Sequence, residues 1–303
     1  MPDAAPLDAI VVGGGIAGLS AALWLARYRR SVRVLDGHEP RNEPAWAVHG
    51  YPGLVDPSPT ELRRRLFEQA VGAGAQHTGA LARSVSGAKD AFRVGLADGT
   101  ALTSRRVVLA YGLVDHLPDV PGIEELYGTS VHHCPDCDGP AVTDCRVGVI
   151  GWDRPAAALA LYLQTWTDDV VLLTHGHAPD LTDEARAVLA DASIPIRTER
   201  LHHARGRGAH LSHLETDTGP IERDALFFHL GTEPRADLAE QLGCGQDDEG
   251  YLEVDRGQET TIPGVHAAGD ITGHPHLAVA AAAEGVRAAL SIHRSLLPES
   301  RRV

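Results

Sequence analysis

Residues 9–18 read Ala9-Ile10-Val11-Val12-Gly13-Gly14-Gly15-Ile16-Ala17-Gly18. Four apolar residues of the kind that fill a buried parallel strand run straight into glycines 13, 15 and 18, which fit G-x-G-x-x-G. The stretch Leu19 to Tyr28, rich in small and apolar residues, predicts a helix packed closely on that strand. The glycines allow a tight turn and let the backbone approach a pyrophosphate held at the positive end of the helix. A second apolar strand, Val32 to Leu35, ends at Asp36, where a carboxylate can accept ribose hydroxyls. Alone, the glycines would read as a flexible loop. Strand, loop, helix, strand and acid in that order predict a dinucleotide-binding unit.

A second buried-strand signal, Val147-Gly148-Val149-Ile150-Gly151, lies further along. Here the fingerprint breaks down: the run continues Trp152-Asp153-Arg154-Pro155-Ala156, with Asp153 at the position of the second glycine. A carboxylate there adds bulk and like-charge repulsion against a diphosphate, so NAD(P)H is expected to bind poorly. The next strand, Val170 to Leu173, is followed by Thr174-His175-Gly176-His177, with no acid for an NAD ribose. Arg154 keeps one phosphate contact open.

The chain has 303 residues, enough for two domains, and 43% of them are hydrophobic. With 41 acidic against 27 basic residues, a net charge of −14 argues against nonspecific binding to nucleic acid or an anionic membrane. The Ala-rich stretch His276 to Ile292 carries Glu284 and Arg287, so no transmembrane segment is expected. Met1 to Asp8 has two aspartates and no Lys or Arg, unlike a secretory signal, and a cytoplasmic location is expected.

Four cysteines are too few for a disulfide-stapled scaffold, yet Cys134-Pro135-Asp136-Cys137 is a C-x-x-C. That spacing can close a small disulfide and leave one thiol open to attack. Two other readings compete. A zinc half-site needs a second ligand pair, but Cys145 and Cys244 stand far apart, and the adjacent His132 and His133 diverge on an extended segment. Incidental packed cysteines are the other. Asp136 adds a negative charge that works against a reactive thiolate, for no reason visible in the sequence. Of the 17 histidines, His202, His203, His210 and His213 flank Arg-Gly-Arg-Gly and are read as an exposed turn rather than a metal site.

Asp138 and Gly139 complete Cys-Pro-Asp-Cys-Asp-Gly, which resembles the redox segment of the low molecular weight thioredoxin reductase family. Thr260-Thr261-Ile262-Pro263-Gly264-Val265-His266-Ala267-Ala268-Gly269-Asp270 resembles the second flavin motif of the two-dinucleotide-domain flavoproteins, and Ala110-Tyr111-Gly112 resembles their Ala-Thr-Gly strand end. The motifs occur in family order over nearly the whole chain. The resemblance implies an α/β fold with two Rossmann-like domains of the three-layer ββα type, the second inserted into the first. Residues 1–114 and 235–303 would form the FAD domain, and 115–234 the inserted domain carrying the cysteines. It further implies a homodimer, rotation between the domains, and FAD held by Gly13, Gly15, Gly18, Asp36, Gly269 and Asp270. Cys137 would face the flavin, Cys134 would be the interchange thiol, and Asp138 would move protons.

NADPH-using members carry arginines after the strand that here precedes Thr174-His175-Gly176-His177. Pro40-Arg41-Asn42, His49-Gly50, Cys-Pro-x-Cys and Trp166-x-Asp168-Asp169 more closely resemble a branch that includes the gliotoxin- and holomycin-type dithiol oxidases. Those typically carry His after the second cysteine, where this chain has Asp138, as in the reductases. Three functions follow. An oxidase would take electrons from a small-molecule dithiol and pass them through FAD to oxygen. A reductase would be fed by ferredoxin, another flavoprotein or NAD(P)H and would act on a thioredoxin-like protein. A flavin-binding redox sensor would not turn over.

Overall fold

The computed structural model describes residues 5–235, 237–273 and 275–301. The chain divides into two compact units, one of Met1–Glu43, Gly50–Val114 and Glu233–Val303, the other of Pro44–His49 and Asp115–Thr232. Each is a Rossmann-like α/β domain. The short segment Pro44–His49 groups with the inserted unit, which the sequence boundary at 114 does not anticipate. The strands Leu113–Asp115 and Thr232–Pro234, where the chain leaves and returns, pair as a two-stranded sheet.

In the first unit, β1 (Leu7–Val12), α1 (Ile16–Arg27) and β2 (Val32–Leu35) form where the apolar runs predict them. After α2 (Pro59–Gly72) come β3 (Gln76–Thr78), β4 (Ala82–Ser86), β5 (Phe92–Leu96) and β6 (Ala101–Leu109). The sheet order is β3-β2-β1-β6-β5-β4, with the late strand Val265–Ala267 also pairing parallel to β6. Strand alternation assigns the two cores. Ala9 and Val11 pack with α1 and with the helix Ala278–Ser295, whereas Ile10 and Val12 pack on the other side with Phe92, Val94 and Leu238. The two helices meet backbone to backbone: a Cβ on Gly285 would come within 2.1 Å of the Ala17 carbonyl oxygen.

The inserted unit has a five-stranded parallel sheet ordered Ile196–Arg197, Val170–Leu173, Val147–Ile150, Ala225–Phe228, Val131–His132. Val147 and Val149 face the helix Arg154–Leu163, and Ile150 faces an antiparallel layer that includes Leu201, Leu211 and Leu214. That layer contains the histidine group. The expected turn is shorter than the sequence suggested, because Leu201–Arg207 and His210–Thr216 pair as a hairpin around Gly208 and Ala209.

Candidate active site

The interchange segment is one short helical turn, Pro135–Asp138, continued by a 3-10 turn, Gly139–Val142. Proline suits the first helical position, where its missing N–H costs nothing. Cys134 caps the turn and is disulfide-bonded to Cys137. The Cys137 amide donates to Cys134 Sγ at 3.1 Å. Both residues are half-buried.

Side chains from distant elements hold this turn. Asp136, unexplained in the sequence, accepts a hydrogen bond of 2.7 Å from Tyr162 Oη, and that bond pushes the Tyr162 phenol up from its ordinary value. The partnered carboxylate ties the redox turn to the helix Arg154–Leu163. Gly139 lies against the Trp166 indole, where any Cβ would come within 2.5 Å of the ring, so the glycine is required for packing. The Asp138 amide donates to the Cys134 carbonyl at 3.1 Å, and its carboxylate lies 3.4 Å from Nδ1 of buried His132. His133 Nδ1 lies 3.0 Å from Tyr127 Oη, which also donates to Asp115 at 3.2 Å.

The remaining thiols are not activated. Burial pushes both Cys145 and Cys244 up, with Asp224 and Asp144 adding to the effect at Cys145.

In the first unit, a cavity of about 460 Å³ opens along the first glycine loop. Gly13, Gly15, Asp36, Gly269 and Asp270 line it, together with Arg41 and Tyr111. The three fingerprint glycines have separate jobs. Gly13 has φ +111°, a conformation that disfavours any side chain, and a Cβ there would meet the Ala110 carbonyl at 2.2 Å. Gly18 packs on the loop, 2.0 Å separating its would-be Cβ from the Gly13 oxygen. At Gly15 a Cβ would meet nothing within 4 Å, and as the N-cap of α1 it brings no side chain to the first-turn amides, a position open to a ligand.

Asp36 is buried at the end of β2. Burial acts to raise its carboxyl, but the His38 amide, Arg63 and His77 outweigh burial and hold it below its ordinary value. Its stabilising contribution is therefore present above the ordinary carboxylate range and is lost as pH falls through the lowered value. Asp36, His38 and His77 converge closely enough to hold an ion, yet the Arg63 guanidinium already contacts the same carboxylate while donating to the Gly14 carbonyl at 3.0 Å.

At the other end of the motif series, Arg41 Nη1 is 2.9 Å from Asp270 Oδ2. Buried Glu284 accepts from the Gly269 amide at 2.7 Å and from the Thr272 hydroxyl at 3.1 Å, fixing the Gly269-Asp270 corner from below. Tyr111 Oη accepts from the Ala239 amide at 3.2 Å, and burial pushes its phenol far up. Sequence reading missed Arg63 and the anchoring role of Glu284, neither of which belongs to a spaced motif. Arg41 had a signal, in Pro40-Arg41-Asn42. An open glycine cradle, an uncapped helix end and a charge-paired carboxylate at each end fit a flavin dinucleotide. Replacing Glu284 by Gln is expected to weaken FAD about tenfold, since a charge-assisted bond becomes a neutral one. Flavin fluorescence titration of the apoprotein measures this.

At the second glycine loop, the helix Arg154–Leu163 is capped by a side chain. Asp153 Oδ1 accepts from the Ala156 amide at 2.9 Å, taking a first-turn donor that a pyrophosphate would use. Trp152, from the same loop, stacks on His177 from the loop after Val170–Leu173, with ring centroids 3.8 Å apart.

The family model for pyridine nucleotide-disulphide oxidoreductases matches residues 7–285. The thioredoxin reductase of Treponema pallidum is 30% identical, covering 87% of this chain and 88% of that protein. The one from Bacillus subtilis is 27% identical, covering 87% and 86%. The crystal structure of HlmI superposes with a TM-score of 0.91 at 35% identity, covering 96% of this chain and 92% of that one. These likenesses agree with the motif order: the chain belongs to the pyridine nucleotide-disulphide oxidoreductase family and, within it, is a thioredoxin reductase-like, FAD-dependent disulfide oxidoreductase.

Proposed function

We propose that the enzyme oxidises a small-molecule dithiol, with the Cys134–Cys137 disulfide accepting the electron pair and oxygen as terminal acceptor. The observation that carries this reading is the Asp153 cap. Unit charges about 4 Å apart near a protein surface repel by about 4 kcal/mol, so a carboxylate facing a diphosphate weakens it about 10³-fold. The Trp152–His177 stack bridges the two loops between which an adenosine would lie. With nicotinamide disfavoured, electrons must enter from elsewhere, and a dithiol is the donor that a C-x-x-C disulfide is suited to accept.

Gly13, Gly15 and Gly18 would admit the FAD pyrophosphate at the α1 N-terminus, Asp36 would accept the ribose hydroxyls, and Asp270 would accept from the ribityl chain. FAD, when bound, supplies storage for two electrons and their release to oxygen. A substrate thiolate attacks Cys134 Sγ, breaking the Cys134–Cys137 bond and leaving Cys137 as a thiolate. The second substrate thiol, giving up its proton, attacks the mixed disulfide and expels Cys134. The Cys137 amide that donates to Cys134 Sγ also stabilises a Cys134 thiolate, which favours Cys134 as that leaving group. Asp138 takes and returns the protons. Overall, a dithiol and oxygen yield a cyclic disulfide and hydrogen peroxide. Asp138→Asn should slow dithiol-driven turnover about 10²-fold or more, as read by stopped-flow absorbance.

The test is oxygen uptake with dithiothreitol or with NADPH as sole donor. Dithiol should drive equimolar oxygen consumption and peroxide formation, and NADPH should drive almost none. Fast NADPH turnover would overturn the reading of Asp153 and favour a reductase.

A further inference from the structure

Among the described residues, His132 stands out as a buried imidazole at the redox turn with no role in the steps above. It sits on the edge strand Val131–His132, only 4% exposed, with the Phe227 ring at 5.3 Å. Burying a polar ring is costly without a partner, and the Asp138 carboxylate lies 3.4 Å from its Nδ1. The neighbouring histidine is engaged elsewhere, His133 Nδ1 lying 3.0 Å from Tyr127 Oη. Asp136, the other carboxylate on the turn, is held by Tyr162. His132 and Asp138 therefore form a separate pair. The Asp138 side chain retains 16% exposure, while its partner is enclosed.

We infer that His132 is a positioning residue for proton transfer: its buried imidazole, 3.4 Å from Asp138, fixes the carboxylate that exchanges protons with Cys134 and Cys137. This rests on the role of Asp138 proposed above. Contact with His132 Nδ1, 3.4 Å from Oδ2, limits the rotamers open to the Asp138 side chain. The other oxygen, Oδ1, takes the proton released as a substrate thiol becomes the attacking thiolate, and returns it to the cysteine thiolate expelled. One proton is taken and one given, and the two electrons move only through the sulfur–sulfur bonds. A free carboxylate on a short turn would sample several rotamers, so proton transfer would wait on its reorientation.

A double-mutant cycle separates positioning from packing. The probe is anaerobic reduction of the FAD-loaded enzyme by dithiothreitol, followed by flavin bleaching, with reduction by dithionite as a control independent of the cysteines. His132→Phe fills the space without a donor and should slow dithiol-driven bleaching about tenfold. His132→Gln keeps a donor and should recover most of that rate. In an Asp138→Asn background, His132→Phe should cause no further slowing. Equal slowing by His132→Phe in both backgrounds would show a packing role and overturn the inference, as would an unchanged rate in His132→Phe alone. If Asp138→Asn itself bleaches at the native rate, the reading of Asp138 fails, and the inference that rests on it fails too.

Discussion

Replacing Cys137 by serine is expected to lower the rate of dithiol-driven flavin bleaching by about 10³-fold or more while FAD stays bound. Serine cannot form the disulfide with Cys134, so the protein loses the bond that accepts the electron pair. Nothing in the flavin cavity changes, because none of its lining residues belongs to the redox turn. The two free cysteines are poor substitutes: Cys244 is buried, and burial together with acidic neighbours disfavours a Cys145 thiolate. The variant should remain yellow and bleach with dithionite. Anaerobic stopped-flow absorbance with dithiothreitol measures the effect, and native kinetics would refute the assigned role.

Gly15→Asp should yield a folded, colourless protein. The substitution copies into the first loop the arrangement already present in the second, since Gly15 and Asp153 each occupy the N-cap of the following helix with extended backbone. A Cβ at Gly15 meets nothing within 4 Å, so the fold can accept the side chain. The carboxylate would cap α1, as Asp153 caps its own helix through the Ala156 amide, and should add about 1 kcal/mol of stability to the apoprotein. It would also face the pyrophosphate, weakening FAD about 10³-fold by charge repulsion. Flavin content at purification and the apoprotein Tm test both halves. A yellow Gly15→Asp protein would show that the loop does not hold the diphosphate.

What could be read from the sequence is what repeats or has a fixed spacing. The run from Ala9 to Asp36 encodes strand, cradle, helix, strand and acid within one continuous stretch, and each element formed there. The Asp153 substitution was visible for the same reason, as a defect in a known spacing. The cap it makes was not, because the sequence shows the missing glycine but not the Ala156 amide that the carboxylate finds. Side-chain pairs across the chain were beyond reach. Arg41 and Asp270 are 229 residues apart, Arg63 joins Asp36 from a helix without a motif, and Glu284 read only as a charge in an alanine-rich helix. Asp136 looked unfavourable until Tyr162, 26 residues on, supplied its hydrogen bond. The grouping of Pro44–His49 with the inserted unit likewise depends on tertiary contacts that no local pattern reports.

Anaerobic titration of the purified flavoprotein, with flavin absorbance followed, compares dithiothreitol with NADPH as the source of electrons. Rapid bleaching by the dithiol, reversed on admitting air, is expected, with NADPH slower by about 10³-fold. Rapid bleaching by NADPH, or an inert response to the dithiol, would contradict a dithiol oxidase.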